Sequence, residues 1–211
     1  MGIEERKERE REQRRNDIID AAERVFFSKG IENASMDEVA SEAELSKGTI
    51  YLYFKSKEEL LFAINIRAII ILQEKIEKVV DPAKNTIDNI IAIGYTYVLF
   101  SREYKDYFEM LLYFEGSAQF NVMHEMYEKF FTEDNDPMLF LARMLEKGIH
   151  DGSIRDDIPS PVLAHCLWSQ VTGVLRLIKA KDLHIDLKEY SEDEIIDTHL
   201  KIMLYGILKT S

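Results

Sequence analysis

The chain has 211 residues, a formal net charge of −12 and a single cysteine, Cys166. This length allows one or two domains with a real core, and one cysteine excludes an intrachain disulfide. The apolar run 64–72 is interrupted by two polar residues and is too short to cross a bilayer, and the charged N-terminus lacks an apolar targeting segment. We therefore expect a cytoplasmic protein that is not inserted in a membrane, with Cys166 as a buried core thiol.

The N-terminal segment 4–15 is almost entirely charged, with Glu–Arg pairs at i,i+4 spacing that stabilise a helix. It is interpreted as a solvated extension of the first helix. The alternative is a basic arm in which Arg14 and Arg15 reach a minor groove, although the intervening glutamates count against it. Apolar residues at helical spacing continue the helix to Gly30, where we expect a left-handed stop.

Residues 35–60 predict two short helices, a tight turn between them and the start of a longer helix. Ser35 with Glu38 and Ser56 with Glu59 form two Ser-x-x-Glu capping boxes, and Ser46 is an N-cap candidate between them. With the first helix they complete a three-helix, helix-turn-helix unit. In such a unit, the last short helix can enter the major groove of DNA.

The residues of that last short helix divide into two sides at about 100° per residue. Ile50 and Phe54 lie together and are expected to anchor the helix to its two neighbours. The remaining arc carries cations, a phenol and a glycine that permits close approach. This outward arc consists of Lys47, Gly48, Tyr51, Leu52 and Lys55.

The run 46–54, S-K-G-T-I-Y-L-Y-F, and the following K-S-K-E-E-L resemble the tetracycline-repressor (TetR) family of bacterial transcription regulators. The close resemblance covers about residues 14–62. By this resemblance, Lys47, Gly48 and Tyr51 face base edges, while phosphates are held by other side chains of the same region. The complete expected DNA-binding set is Ser35, Ser46, Lys47, Gly48, Thr49, Tyr51, Leu52, Tyr53, Lys55 and Lys57.

The sequence departs from the resembling family at one position of the turn, where glycine is usual and this chain has Glu44. If Glu44 adopts a left-handed conformation, it costs about 1 kcal/mol relative to glycine. The carboxylate also adds a negative charge near the DNA side. We expect this to weaken DNA affinity without changing the fold.

The remainder of the chain is predicted to be helical, giving about nine helices and an all-α fold. A fourth helix runs from Ser56 towards Val80, and later helices begin at the cap Asp136 with Pro137, at Ser160 with Pro161, and at Ser191 with Glu194. Further helices are expected at 87–98, 107–114 and 118–131. We assign residues 1–57 to a helix-turn-helix DNA-binding domain and residues 58–211 to a helical regulatory domain for ligand binding and dimerisation.

The last two long helices have broad apolar faces that one helix pair cannot bury alone. In the resembling family this pair meets its twofold mate in a four-helix interface, so a homodimer is expected; ordinary intrachain packing of the same faces is the alternative. The predicted interface residues are Val162, Cys166, Gln170, Gly173, Val174, Leu177, Ile196, Leu200, Met203, Leu204 and Ile207.

Thirteen of the 21 Phe and Tyr residues lie between Tyr95 and Phe140, and five of eight methionines lie between Met110 and Met144. Such side chains suit a permissive apolar cavity, although core packing is the stronger interpretation for any one of them. The candidates for a small-molecule effector site are Tyr97, Phe100, Tyr104, Phe108, Tyr113, Phe114, Met123, Met126 and Trp168.

Catalytic and metal sites have no support in the sequence. The five histidines show no ligand spacing, and neither a phosphate-binding loop nor a nucleophile motif occurs, so we expect no metal, no cofactor and no enzymatic activity. The favoured hypothesis is a homodimeric repressor that binds a palindromic double-stranded operator and is released by a small apolar or cationic effector. The alternatives are a regulator without a small-molecule pocket, and a helical scaffold or enzyme that retained the DNA-binding head.

Overall fold

The computed structural model describes residues 2–116, 130–131, 136–180 and 189–209, with the side chains of 115 and 116 left aside. Over these ranges the chain is built from helices and contains no strand; one isolated bridge joins Ile154 to Leu208. This confirms the all-α prediction. None of the helices in the described ranges is long and apolar enough to cross a membrane. The helices are α1 (Ile3–Lys29), α2 (Met36–Glu42), α3 (Lys47–Tyr53), α4 (Lys57–Val79), α5 (Thr86–Glu103), α6 (Lys105–Gly116), α7 (Pro137–Asp151), α8 (Ser160–Lys179) and α9 (Glu192–Ile207).

The predicted caps begin the helices. The hydroxyl oxygens of Ser35, Ser46 and Ser191 each accept a hydrogen bond from the backbone N–H three residues later, at 3.1 to 3.3 Å. At the start of α4, the Ser56 hydroxyl accepts from the Glu59 N–H at 3.2 Å, but the Glu59 carboxylate accepts from the Lys55 N–H at 2.5 Å. The reciprocal bond of the predicted box therefore goes to the residue before the cap.

Two helix ends need a positive φ angle. Gly30 ends α1 with a positive φ of +82°, as expected, but its ψ of 151° lies outside the left-handed helical region, so the predicted left-handed helical stop is wrong. Glu44, after α2, has φ +55°. Its N–H donates to Ser41 O at 3.2 Å and the Leu45 N–H donates to Ala40 O at 2.9 Å, which is the Schellman pattern that favours glycine.

The described residues form two compact units, and α4 contributes to both. The first unit comprises the described residues of Met1–Ile69 and Asp106–Tyr127, and the second those of Ile70–Lys105 and Glu128–Ser211. In the first unit, apolar faces of the first four helices and α6 are buried, with Phe26, Phe54 and Phe108 at most 1% exposed. The functional boundary expected at residues 57 and 58 stays a prediction.

The core of the second unit is formed by α5, α7, α8 and α9. Leu145 and Ala164 are fully buried, and α7 packs closely against the segment after it, because a Cβ atom on Gly148 would lie 2.4 Å from Ile154. Cys166 lies on the exposed side of α8, so the expectation of a buried core thiol is wrong. The apolar face of α8 follows Leu163, Leu167 and Val171, and Cys166 lies outside it.

Candidate nucleic-acid interface

Helix α3 is held in place from one side only. Ile50 and Phe54 are fully buried, as predicted, and Ser46 caps the N-terminus of the helix. The guanidinium carbon of Arg15, from α1, lies 5.0 Å from the centre of the Phe54 ring. A seven-residue helix is too short to be stable alone, so these contacts fix its position on α1 and α2.

The opposite side of α3 is open. Lys47, Gly48, Tyr51 and Leu52 are all exposed, and Leu52 exposes 70% of its surface. A Cβ atom on Gly48 would meet nothing closer than the Ser46 hydroxyl at 3.8 Å, so intrachain packing does not require glycine there. An exposed leucine beside a phenol, an ammonium and a glycine is a surface that can enter a groove and contact base edges.

Lys47 has an acidic partner within the helix-turn-helix unit. Its Nζ atom lies 2.5 Å from a carboxylate oxygen of Asp37, at the start of α2, and this bond raises the pKa of Lys47. Both side chains are exposed, so the pair is weak and solvent-screened. An acceptor on a bound molecule can compete with Asp37 for this ammonium, and the sequence pattern did not reveal this pairing.

The predicted phosphate contacts also have roles within the chain. Lys57 donates from Nζ to Ala34 O at 2.6 Å, and Lys55 donates from Nζ to Tyr51 O at 2.9 Å. Thr49 and Tyr53 are half-buried, and the Thr49 hydroxyl lies 2.8 Å from the Ser46 hydroxyl. Lys57 therefore ties the start of α4 to the loop before α2, beside the capped end of α2 at Ser35.

Helix α2 is fixed to α1 by ion pairs at its surface. Lys29 binds Glu38 at 2.6 Å, and Arg24 binds Glu42 at 2.5 Å. The hydrogen bond from Lys29, followed by those from the Ser35 hydroxyl and amide, lowers the pKa of Glu38 to about 2. Glu38 thus joins the cap of α2 to the end of α1.

A partly buried polar cluster links three helices of the first unit. Arg67, from α4, binds Asp20 and Glu23 of α1 at 2.6 and 2.9 Å, and the Tyr107 hydroxyl of α6 donates to Glu23 at 2.9 Å. Burial raises the pKa of Glu23, and burial together with Glu23 raises the pKa of Tyr107 to about 12. Tyr107 also packs edge-on against Phe27. Arg67 was visible in the sequence only as an interruption of an apolar run.

Asn65 is the other residue that interrupts this run. It is 5% exposed, and its Oδ1 atom is buried without a hydrogen-bond partner among the described residues. A buried polar atom without a hydrogen-bond partner lowers the stability of the fold by about 1–3 kcal/mol. Either the packing around Asn65 offsets this cost or another molecule supplies the hydrogen bond.

The candidate effector residues fall in both units. In the second unit, the Tyr97 ring lies 4.4 Å from Trp168 with its hydroxyl 3.0 Å from Thr172, and Phe100 stacks on Tyr104 at 5.4 Å. In the first unit, Phe108 and Phe114 are buried and Tyr113 is half-buried. Met123 and Met126 lie outside the described residues. A groove of about 380 Å³ lies elsewhere, along α9, and is lined by Tyr190, Glu194, Ile195, Thr198, His199 and Ile202.

The candidate dimer residues of α8 lie on one side of the helix. Val162, Cys166, Gln170 and Leu177 are exposed, and a Cβ atom on Gly173 would meet nothing within 4 Å; Val174 is half-buried. On α9 the predicted residues lie deeper, because Ile196 and Ile207 are each 4% exposed and Leu200, Met203 and Leu204 are half-buried. The most exposed apolar residues of α9 are Ile202 and Tyr205, at 64% and 74%, which the periodicity did not single out.

Known proteins resemble this chain in both sequence and fold. Residues 18–64 match the family model described as bacterial regulatory proteins, tetR family. The transcriptional regulator UidR of Escherichia coli is 26% identical over 198 residues, which cover 93% of this chain and 94% of UidR.

Two solved structures share the fold. A complex of SmeT with triclosan has a TM-score of 0.68 at 22% identity, covering 94% of this chain and 93% of SmeT. A complex of AibR with isovaleryl coenzyme A and operator DNA has a TM-score of 0.61 at 20% identity, covering 90% and 97%. The matched segment contains the whole of α2 and α3 and the capped turn between them. Residues 18–64 of the chain thus belong to the tetR family of bacterial regulatory proteins.

Proposed function

We propose that this DNA-binding regulator, which is not an enzyme, is a cytoplasmic repressor that binds a palindromic operator as a homodimer and leaves it when a small effector binds. The observation that carries the DNA contact is the open side of α3. Lys47, Gly48, Tyr51 and Leu52 are exposed, Tyr51 by 37% and Leu52 by 70%, whereas Ile50 and Phe54 are fully buried.

The remaining polar residues of the head are proposed to fix the register on the duplex. Ser35, Ser46, Thr49 and Tyr53 present hydroxyls, and Lys55 and Lys57 present ammonium groups; groups of both kinds bind phosphates and carry no sequence information themselves. Lys57 would keep its bond to Ala34 O while a second N–H of the ammonium reaches the backbone.

The homodimer is proposed to form through α8 and α9. These helices pack against each other, and the exposed residues of α8 together with Ile202 and Tyr205 give an apolar surface on two neighbouring helices. The groove at His199 lies on the same helix as Ile202. Two copies joined by such a surface present two α3 helices, which a palindromic operator requires about one helical turn, or 34 Å, apart.

The effector is proposed to be small and either apolar or cationic. SmeT and AibR, which share the fold, have each been seen with a small molecule bound. The aromatic residues named above are candidates within each unit taken separately, and in the first unit the buried Oδ1 atom of Asn65, which has no hydrogen-bond partner among the described residues, adds an acceptor. Helix α4 carries residues of both compact units. A shift of α4 on effector binding would therefore act directly on the helix-turn-helix unit. For near-complete release, the effector must bind the released state more favourably than the DNA-bound state by about 5.5 kcal/mol.

The proposal is tested by selecting binding sites from a pool of random duplexes with purified protein. We expect an enriched sequence with twofold symmetry, bound by two chains per duplex, and release by some members of a panel of lipophilic and cationic compounds. Enrichment without symmetry would contradict the homodimer, and a uniformly unresponsive complex would favour a regulator without a small-molecule pocket.

A further inference from the structure

Helix α1 continues well beyond the domain that it helps to build. Residues 2–16 are exposed, and burial begins only at Ile18. The N-terminal extension, residues 3–16, is therefore a helix of about 21 Å at 1.5 Å per residue, without a core of its own.

The charges of this extension are sorted by side. At about 100° per residue, Lys7, Arg11 and Arg14 lie within about 40° of Ile18, on the line that continues as Val25. We call these three residues the cationic stripe. Glu5, Glu8 and Glu12 lie about 80° to 140° away on one side, Glu10 lies about 80° away on the other, and Glu4 lies at about 40°, beside the start of the stripe. Between residues 5 and 16 the line of the stripe carries cations and no carboxylate.

Contacts of the core part of α1 identify what each side faces. Ile18 and Val25 are buried, and Lys29, about 20° from Ile18 on the same line, binds Glu38 of α2. Arg15, about 60° from Ile18 and on the side of Glu8, lies over the Phe54 ring at the end of α3. The side of Glu5 and Glu12 continues to Glu23, which binds Arg67 of α4. The cationic stripe thus continues the side of α1 that contacts α2, and Glu5 and Glu12 continue the side that contacts α4.

The stripe is also unneutralised. Arg6, in the same extension, binds Glu10 at 2.8 Å. In the helix-turn-helix unit, the side chains of Arg24, Lys29 and Lys47 each bind a carboxylate. Lys7, Arg11 and Arg14 form no ion pair with any residue that the structure describes. From Lys7 to Arg14 the helix rises about 10 Å, a length that spans several phosphate charges of a duplex.

We propose that the cationic stripe of α1 is a second DNA-binding surface, which contacts phosphates of the duplex flanking the site read by α3. The inference rests on the proposed function, because α3 brings the duplex to this side of the head. Contacts of this kind add affinity and salt dependence and lengthen the protected DNA, without adding base recognition.

The test measures affinity against salt concentration for a selected duplex with long flanks. The variant Lys7→Gln/Arg11→Gln/Arg14→Gln should flatten the slope of log affinity against log salt by about 2–3, because each lost phosphate contact contributes about 0.9. Arg11→Gln should account for roughly 0.9 of this. The matched control is Arg9→Gln, which removes the same charge from the opposite side of the extension and should leave the slope unchanged.

On a duplex trimmed to the selected site, the wild type and the triple variant should show the same slope of log affinity against log salt. Circular dichroism checks that the helix persists, since glutamine is a good helix former. An unchanged slope in the triple variant, with site binding intact, would overturn the second surface while leaving the function of α3 in place. An equal decrease of the salt slope for Arg9→Gln and Arg11→Gln would contradict the assignment of the cationic stripe to the side that contacts DNA. Failure of the wild-type protein to prefer any duplex would overturn both proposals.

Discussion

Glu44 shows at the scale of one residue how a turn can form around an unfavourable side chain. The sequence predicted a cost if this position were left-handed, and its φ of +55° meets that condition. The two backbone bonds of the Schellman turn are formed nevertheless, so the turn is maintained by the helices on either side of it and not by the residue at its centre.

Replacing Glu44 with glycine should raise the free energy of unfolding by about 1 kcal/mol, because glycine adopts this conformation without steric cost. Chemical denaturation at fixed pH measures the change. The adjacent Ala43 has φ −79°, so Ala43→Gly should instead lower stability by roughly 0.5–1 kcal/mol. Equal effects of the two substitutions would contradict the assigned turn.

Asn65→Leu should stabilise the protein without ligand by about 1–3 kcal/mol, because it removes an unsatisfied buried oxygen and keeps a side chain of similar branching. Thermal and chemical denaturation report the change. The control is Asn89→Leu: Asn89 is 1% exposed, and its amide exchanges two 2.9 Å hydrogen bonds with the backbone of Asp81, so that substitution should destabilise. Destabilisation by both would show that the Asn65 oxygen is satisfied in solution.

At the scale of the element, α2 depends on the bonds that join its cap to α1. Glu38 is ionised in the folded protein down to a pH of about 2, below the ordinary pKa of 4.5. Its contribution to stability is therefore fully present above pH 4.5 and is lost as the pH falls from there towards 2.

Glu38→Gln should reduce stability at pH 7 and should flatten the acid side of the stability curve over that same interval. Denaturation midpoints measured at several pH values between 2 and 7 provide the test. Glu42 is the control, because it pairs with Arg24 without capping a helix, and Glu42→Gln should leave the shape of the acid limb nearly unchanged. If Glu38→Gln lost stability between pH 4.5 and 2 as steeply as the wild type, the role given to this carboxylate would be contradicted.

Helix starts were predictable because a cap is a local interaction. Ser35, Ser46, Asp136 and Ser191 each needed only the residues that follow them, and all four begin a helix as expected. The anchoring of α3 through Ile50 and Phe54 was predictable for a similar reason, since angular position on a short helix follows from spacing.

Contacts between distant residues were not predictable in the same way. Nothing local links Arg67 to Glu23 and Tyr107, or Lys57 to the Ala34 carbonyl. The position of Cys166 on the open side of α8 also depends on which side its neighbours cover. On α9, the periodicity gave one broad apolar stripe but could not say that Ile196 and Ile207 are covered while Ile202 and Tyr205 are not.

At the scale of the whole molecule, the acidic excess lies mainly outside the head, with a balance of −2 in residues 1–57 and −10 in the rest. At cellular salt the screening length is about 8 Å, so Lys47, Lys55 and Lys57 act locally while distant carboxylates oppose nonspecific DNA association. The proposed dimer would bring two helix-turn-helix units to one duplex.

Leu177→Glu should convert the proposed dimer to monomer, because it places a charge in an apolar surface whose residue is 57% exposed in the single chain. Sedimentation velocity measures the change directly. Lys179→Glu, on the same helix and with an exposed side chain, is the control and should leave the assembly unchanged. Helicity and thermal stability of the single chain should be retained in both variants, and a Leu177→Glu protein that sediments like the wild type would place the interface elsewhere.

The claim on which the account depends is that the open side of α3 reads base edges. The most direct measurement is the ratio of affinities for a selected duplex and for a scrambled duplex of equal length, in wild type, Tyr51→Ala and Lys55→Ala. We expect Tyr51→Ala to lower the ratio by roughly 5- to 150-fold, equivalent to about 1–3 kcal/mol, because it removes a base contact. Lys55→Ala should weaken both affinities alike and preserve the ratio. A wild-type ratio near one, or a ratio that Tyr51→Ala leaves unchanged, would contradict the assignment of this surface.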